Sequence, residues 1–109
     1  MPSYSKPDIV LVRYPFSDLS SSKVRPAVVV SSPHSSKDIL VTPLTSKTGL
    51  LLDGEFVLAE WLAVGLNVTT AVKRGIYTVH ESLVIKVIGK LADVDVQRLE
   101  QSLQGWLGL

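Results

Sequence analysis

The chain has 109 residues, of which 46% are apolar and 19% charged, with no cysteine and a formal net charge of +1. This length supports one hydrophobic core, so we expect a single domain over residues 1–109. The missing cysteines exclude disulfides, thiolate catalysis and Cys-ligated zinc and fit a cytoplasmic setting, and the near-neutral charge confines any nucleic-acid role to a local site.

Neither the apolar runs nor the N-terminal stretch predicts a membrane-spanning or secretory segment. No run approaches the ~18–20 apolar residues that span a bilayer, so we expect no membrane partner. The N-terminal stretch MPSYSKPD has no apolar centre and no small-residue cleavage site, which argues against a secretory signal. Two histidines, His34 and His80, are too few for a His-rich metal site.

The first half of the chain predicts three strands. Asp8–Arg13 (DIVLVR) is almost continuously apolar, which is typical of a strand buried on both faces. Residues 14–24 predict a loop from their Pro, Asp and Ser content, and residues 26–31 a second strand. A short turn at 33–37 makes residues 38–44 the expected hairpin partner, in which Pro43 indicates an edge strand or a bulge.

The second half predicts shorter strands and a closing helix. A loop over 45–54 precedes a strand at 55–58 and a helical turn at 59–63, and further strands are expected at 69–72, 76–80 and 83–91. From Val96 the apolar positions recur at helical spacing, with Asp93 as the predicted N-cap and Gly108 as the stop. The economical arrangement is mainly β: a small antiparallel barrel with a C-terminal helix.

Three blocks of this sequence together resemble a known family. They are PDIVLVRYPFSDLSSSKVRPAVVVSS, then ILVTPLTS, then FVLAEWLAVGLNVTTAVKRGIYTVHESLVIKVIGKL, and they are similar to the MazF/PemK toxins of type II toxin–antitoxin systems. The resemblance covers about Asp8 to Leu91 in the family's order and spacing. It implies an SH3-like barrel, a homodimer, and an endoribonuclease that cleaves single-stranded RNA at short sequence motifs. It also implies no metal or cofactor, and an antitoxin protein that binds the same groove.

The predicted catalytic residues are Arg25 and Thr45. In metal-free RNA cleavage the ribose 2′-OH attacks phosphorus, and the extra negative charge on the phosphorane must be stabilised. Arginine suits this task because its planar fork makes two charge-assisted bonds to phosphate, and Pro26 keeps Arg25 extended at a stiff strand edge. The resemblance places the family's catalytic threonine at Thr45. Taken alone, both residues also fit a solvated strand end and a turn cap.

The predicted substrate-binding residues surround this pair. Ser46 follows Thr45, and the loop aromatics Tyr14 and Phe16 are suited to stacking on RNA bases. Basic residues fall in or beside the loops that would rim the site and would form a local positive patch: Lys23, Arg25, Lys47, Lys73 and Arg74.

One region departs from the family pattern. TAVKRGIYTVH contains no carboxylate, and His80 stands where an aspartate is usual, so the general base is left open. A lone histidine is more often structural than catalytic. Trp61 is interpreted as an anchor of the core or of a dimer.

Two other classes of function remain open at this point. A toxin of the same fold that poisons DNA gyrase by protein contact would use the C-terminal helix, with Trp106, as its binding surface. A non-catalytic barrel that binds RNA or peptide would follow if the missing carboxylate has ended activity.

Overall fold

The computed structural model describes residues 3–13 and 23–109, which contain seven strands and one α-helix. The strands are β1 (Asp8–Arg13), β2 (Val24–Val29), β3 (Asp38–Thr45), β4 (Phe56–Val57), β5 (Ala71–Val72), β6 (Tyr77–His80) and β7 (Val84–Lys90). A 3-10 turn (Glu81–Leu83) joins β6 to β7, and the helix α1 (Asp93–Leu107) ends the fold. All the strand pairs are antiparallel. The predicted mainly β fold with a C-terminal helix is confirmed.

The sheet runs in the order β4-β5-β3-β2-β1-β7, and β6 also pairs with β3. Hydrophobic clusters lie on both of its faces, and β1 contributes to each. Ile9 belongs to the first cluster, which α1 covers with Leu99, whereas Val10 and Val12 belong to the second. All three β1 side chains are fully buried. This explains why β1 is continuously apolar instead of alternating.

Strand β3 is the centre of the sheet, so the expectation that Pro43 marks an edge is wrong. Pro43 pairs with Ala27 of β2 on one side. On the other side the partner changes from β6, which pairs with residues 38–41, to β5, which pairs with 44–45. The Pro43 carbonyl accepts from Lys73 N (2.9 Å). Because the nitrogen and the carbonyl of a strand residue point to the same neighbour, the Pro43 nitrogen also points to the place where β6 gives way to β5. The ladder is interrupted there, so the proline, which has no N–H, is tolerated.

Helix α1 packs an apolar stripe on the first cluster. Leu99 is fully buried, and Val96, Leu103 and Trp106 pack against the cluster, whereas Leu107 is 55% exposed and does not extend the stripe. The helix ends as predicted, because Gly108 adopts a left-handed conformation (φ 71°). Among the described residues, no helix is long and apolar enough to cross a membrane.

The N-terminus of α1 differs from the prediction, because the N-cap is Ala92 and Asp93 is the first helical residue. The important acidic residue is Asp95, which is only 1% exposed. Its Oδ1 accepts from Ala59 N (2.9 Å) and its Oδ2 from Glu60 N (3.1 Å). The carboxylate therefore ties the turn after β4 to the start of the helix.

Candidate functional site

The register of β2 and β3 brings the predicted catalytic pair to one place. Ala27 pairs with Pro43, and continuing this register by two residues sets Arg25 opposite Thr45. Side chains alternate along a strand, so the side chains of these two pairs lie on the same face of the sheet. That face buries the second cluster, to which Ala27 belongs. Arg25 also pairs with Val12 of β1, another member of this cluster. The two residues therefore stand where a rigid, packed face reaches the surface.

A pocket of about 260 Å³ opens at this position. Its lining contains five of the predicted site residues together with three others: Arg25, Thr45, Ser46, Lys47 and Lys73, with Pro43, Leu44 and Tyr77. These residues come from β2, β3, the segments that follow β3 and β5, and β6. The fold thus assembles in one cavity residues that are separated by up to 52 positions in the chain.

Thr45 lines the pocket and also shapes the turn that follows β3. Its Oγ1 accepts a hydrogen bond from Lys47 N (3.0 Å), which shapes the turn where β3 ends. A hydroxyl that accepts in this way still has its own proton to donate. The half-buried Thr45 side chain can therefore be held by the turn and donate a hydrogen bond into the pocket at the same time.

The charged residues among the described lining are all cationic. Arg25, Lys47 and Lys73 contribute three cationic side chains, all exposed, and none of the lining residues within 3–13 and 23–109 carries a carboxylate. The backbone of Lys73 is fixed by its hydrogen bond to Pro43 O, so its ammonium is tethered beside β3. Cations that face one cavity without acidic partners attract anions, and a forked guanidinium favours a phosphate.

Of four further candidates, two lie outside the described residues, and two are described but do not line the pocket. Tyr14 and Phe16 lie outside the described residues. Lys23 is exposed just before β2 and does not belong to the lining of the pocket. Arg74 also lies outside the lining; its backbone N donates to Glu55 Oε2 (2.9 Å).

His80 lies at the wrong end of β3 for a role in the pocket. It pairs with Asp38, and Thr45 is seven residues further along the same strand, roughly 23 Å at ~3.3 Å per residue. Its Nδ1 accepts from Ser82 N (3.1 Å) and so caps the 3-10 turn. No group of three or more His, Asp or Glu side chains that could hold a metal ion occurs in residues 3–13 and 23–109.

Three of the lining residues were not predicted from the sequence, and Tyr77 is the one of them with a polar side chain. It pairs with Val41 in the β3–β6 ladder and packs against the second cluster. Val41, Pro43 and Thr45 alternate onto one face of β3, so Tyr77 shares that face. The sequence shows only that this tyrosine lies in a predicted strand. Its position near Thr45 depends on the pairing of β6 with β3, which the sequence alone does not reveal.

The two tryptophans serve the core. Trp61 packs against the first cluster, as interpreted from the sequence. Trp106 also packs there, and its Nε1 donates to Asp53 O (2.9 Å). The indole that a protein-contacting helix would present is therefore engaged within the chain.

Comparison with known structures supports the fold. An endoribonuclease from a mycobacterial species aligns with a TM-score of 0.77 and 18% identity, over 100% of this chain and 95% of the other. A mycobacterial endoribonuclease in complex with its cognate antitoxin aligns with a TM-score of 0.76 and 17% identity, over 100% and 97%. A MazE–MazF structure from Deinococcus radiodurans gives 0.77 and 15%, over 100% and 99%.

Sequence comparison identifies the family. Among curated proteins, no sequence matches the chain significantly. The family model described as "PemK-like, MazF-like toxin of type II toxin-antitoxin system" matches residues 5–107. This match covers nearly the whole chain, including every residue that lines the pocket. The chain therefore belongs to the PemK-like, MazF-like toxins of type II toxin–antitoxin systems.

Proposed function

We propose that this toxin is an endoribonuclease that cleaves single-stranded RNA through attack of a ribose 2′-OH on the adjacent phosphate. The observation that carries the proposal is the pocket at the ends of β2 and β3, where Arg25 and Thr45 both belong to the lining, together with further cations and with no carboxylate among the described lining residues. Such a lining suits a phosphate diester, whose charge increases as the 2′-oxygen attacks.

Each residue has a definite task in this proposal. The Arg25 guanidinium binds two phosphate oxygens and stabilises the phosphorane, and the Thr45 hydroxyl donates to a third oxygen. Ser46, Lys47 and Lys73 hold the neighbouring part of the RNA backbone. Three further substrate contacts, Tyr14, Phe16 and Lys23, belong to the proposal on the sequence argument alone.

The proposed partners are an antitoxin and a second copy of this chain. The mycobacterial and Deinococcus structures include complexes with an antitoxin, and we propose that a cognate antitoxin binds this chain as well. Residues 1–109 act as one toxin domain and form a homodimer with RNA in a groove at or near the interface. A substrate of messenger RNA places the activity in the cytoplasm.

The proposal is tested by incubating the purified protein with a mixed-sequence RNA pool in the presence of EDTA. We expect fragments that end in a cyclic 2′,3′-phosphate, because the 2′-oxygen replaces the 5′-oxygen on phosphorus. Intact RNA together with inhibition of DNA gyrase would contradict the proposal and favour a toxin that acts by protein contact. Intact RNA that binds the protein would favour a non-catalytic barrel.

A further inference from the structure

The proposed cleavage needs a proton for the departing 5′-oxygen, and the pocket restricts where it can come from. Proton donation to a leaving group is the work of a general acid, usually a histidine, carboxylic acid, lysine, tyrosine or cysteine side chain. In the part of the chain that the structure describes, the lining residues include neither a carboxyl group nor an imidazole. His80 lies at the far end of β3. Among the described residues that line the pocket, the remaining acids of this kind are the phenol of Tyr77 and the ammonium groups of Lys47 and Lys73.

Tyr77 is held more firmly than either lysine. Tyr77 belongs to β6 and pairs with Val41, and its side chain is half-buried against the second cluster. The two lysines are exposed and lie outside the strands, on long and rotamer-rich side chains. A group that transfers a proton works best when packing holds it within a fraction of an ångström of its target.

Gly75 supplies a second support for the tyrosine ring. Its φ of +150° lies in a region that side chains disfavour. A Cβ built at Gly75 would lie 2.8 Å from Cε1 of Tyr77, and 3.5 Å from both Cζ and Oη. The backbone at Gly75 therefore lies directly against the hydroxyl-bearing edge of the ring, in a space that only glycine leaves open.

We propose that Tyr77 is the general acid of this ribonuclease; this inference rests on the proposed function. As the 2′-oxygen forms its bond to phosphorus, the 2′ proton passes to solvent and the bond between phosphorus and the 5′-oxygen breaks. The Oη–H bond of Tyr77 breaks at the same time, and its proton goes to the 5′-oxygen. The resulting phenolate then takes a proton back from water.

The experiment compares two forms of one short RNA, cut at a site first mapped with the wild-type protein. One form has the natural 5′-oxygen at the scissile bond, and the other has sulfur in its place, which leaves as a thiolate without needing a proton. We expect Tyr77→Phe to reduce kcat on the oxygen substrate by roughly 100-fold or more, the usual scale of a general acid. On the sulfur substrate, we expect the variant and the wild type to cleave at nearly equal rates.

Two further variants act as controls. Lys73→Met removes a cation from the pocket, so we expect similar losses on both substrates. Gly75→Ala pushes a methyl group into the Tyr77 ring, so we expect a loss that sulfur largely restores. Thermal unfolding of each variant checks that the fold is kept.

Each other result overturns the inference in a recognisable way. A wild-type rate for Tyr77→Phe on the oxygen substrate removes the phenol from the reaction. Equal losses on both substrates make Tyr77 a binding or structural residue instead of the acid. A loss in Lys73→Met that sulfur restores transfers the role to the lysine. If the wild-type protein cleaves neither substrate, the proposed function itself fails, and the assignment of Tyr77 fails with it.

Discussion

Arg25 and Thr45 line the same pocket, and each lies two residues beyond the last paired position of β2 and β3, Ala27 with Pro43. Beyond that pair the two strands no longer form a ladder, and the pocket lies in this part of the fold. The packed sheet fixes the backbones of both residues, while the missing ladder leaves room for a substrate. With both residues in its lining, the pocket presents a guanidinium and a hydroxyl to a phosphate.

The first prediction concerns Arg25. Arg25→Ala should raise the activation free energy of RNA cleavage by about 3 kcal/mol or more, the scale for losing one group that stabilises developing charge. RNA binding, measured by fluorescence anisotropy, should fall much less, because the other cations remain. Arg25→Lys keeps the charge but loses the forked guanidinium, so its cleavage rate should lie between those of the wild type and Arg25→Ala. Cleavage at the parent rate by Arg25→Ala would remove this residue from the mechanism.

The second prediction concerns the hydroxyls of Thr45, the last residue of β3, and of Ser46, which follows it. Thr45→Ala should reduce kcat by about 10- to 100-fold, less than Arg25→Ala, because a neutral donor stabilises charge less than a cation does. Ser46→Ala should have a smaller effect. Thr45→Ser keeps both the proton and the bond from Lys47 N, so it should restore most of the activity. If Thr45→Ser is as poor as Thr45→Ala, the hydroxyl is not what the reaction uses.

The third prediction concerns assembly. Three apolar side chains on β2 and β7 are substantially exposed: Val24 (39%), Ile85 (48%) and Val87 (45%). Covering such side chains in a twofold interface would lower the free energy of a dimer. Light scattering at micromolar concentration should give about twice the chain mass of 11.8 kDa.

The double variant Ile85→Lys, Val87→Lys should shift the toxin toward monomer. The control is Leu50→Lys, at a loop residue that is 94% exposed, which should leave the mass unchanged. A monomeric wild-type protein would contradict the homodimer.

The fourth prediction concerns regulation. We expect the cognate antitoxin to bind through a disordered, acidic segment that folds on contact. Such a segment would pair with Arg25, Lys47 and Lys73, so its inhibition should be competitive with RNA and should weaken as salt rises. Titration of antitoxin at several RNA concentrations measures this. An inhibition constant that does not change with RNA concentration would place the antitoxin at another surface.

The fifth prediction concerns stability. Asp95→Ala should lower the free energy of unfolding by roughly 2–4 kcal/mol, because two backbone N–H groups, at Ala59 and Glu60, lose their acceptor. Asp95→Asn keeps one acceptor oxygen and should lose about half as much. The matched control is Asp93→Ala, an exposed residue of the same helical turn, which should cost less than about 1 kcal/mol. Urea unfolding gives these values, and equal losses for Asp93→Ala and Asp95→Ala would contradict the assigned role.

Local patterns predicted most of the secondary structure. The apolar run of β1, the turn before β3 and the three-and-four spacing of α1 each depend on residues close together in the chain. Gly108 ends the helix as predicted because its left-handed conformation is a property of one residue. Asp93 was wrong as the N-cap, which is Ala92. The acidic residue with a structural role is Asp95, whose carboxylate accepts from the backbone N of Glu60, 35 positions earlier in the chain.

The sequence by itself also determined the chemical character of the site: an arginine held extended by Pro26, a threonine at a strand end, and lysines in the adjoining segments. Tertiary structure decided which of them meet. Strand order placed Pro43 in a central strand, set Arg25 opposite Thr45, kept Lys23 and His80 out of the pocket and brought Tyr77 into it. These relations depend on pairings between distant segments. A shift of one residue in any register would turn the same side chains to the other face of the sheet, which is why composition and spacing alone could not reveal them.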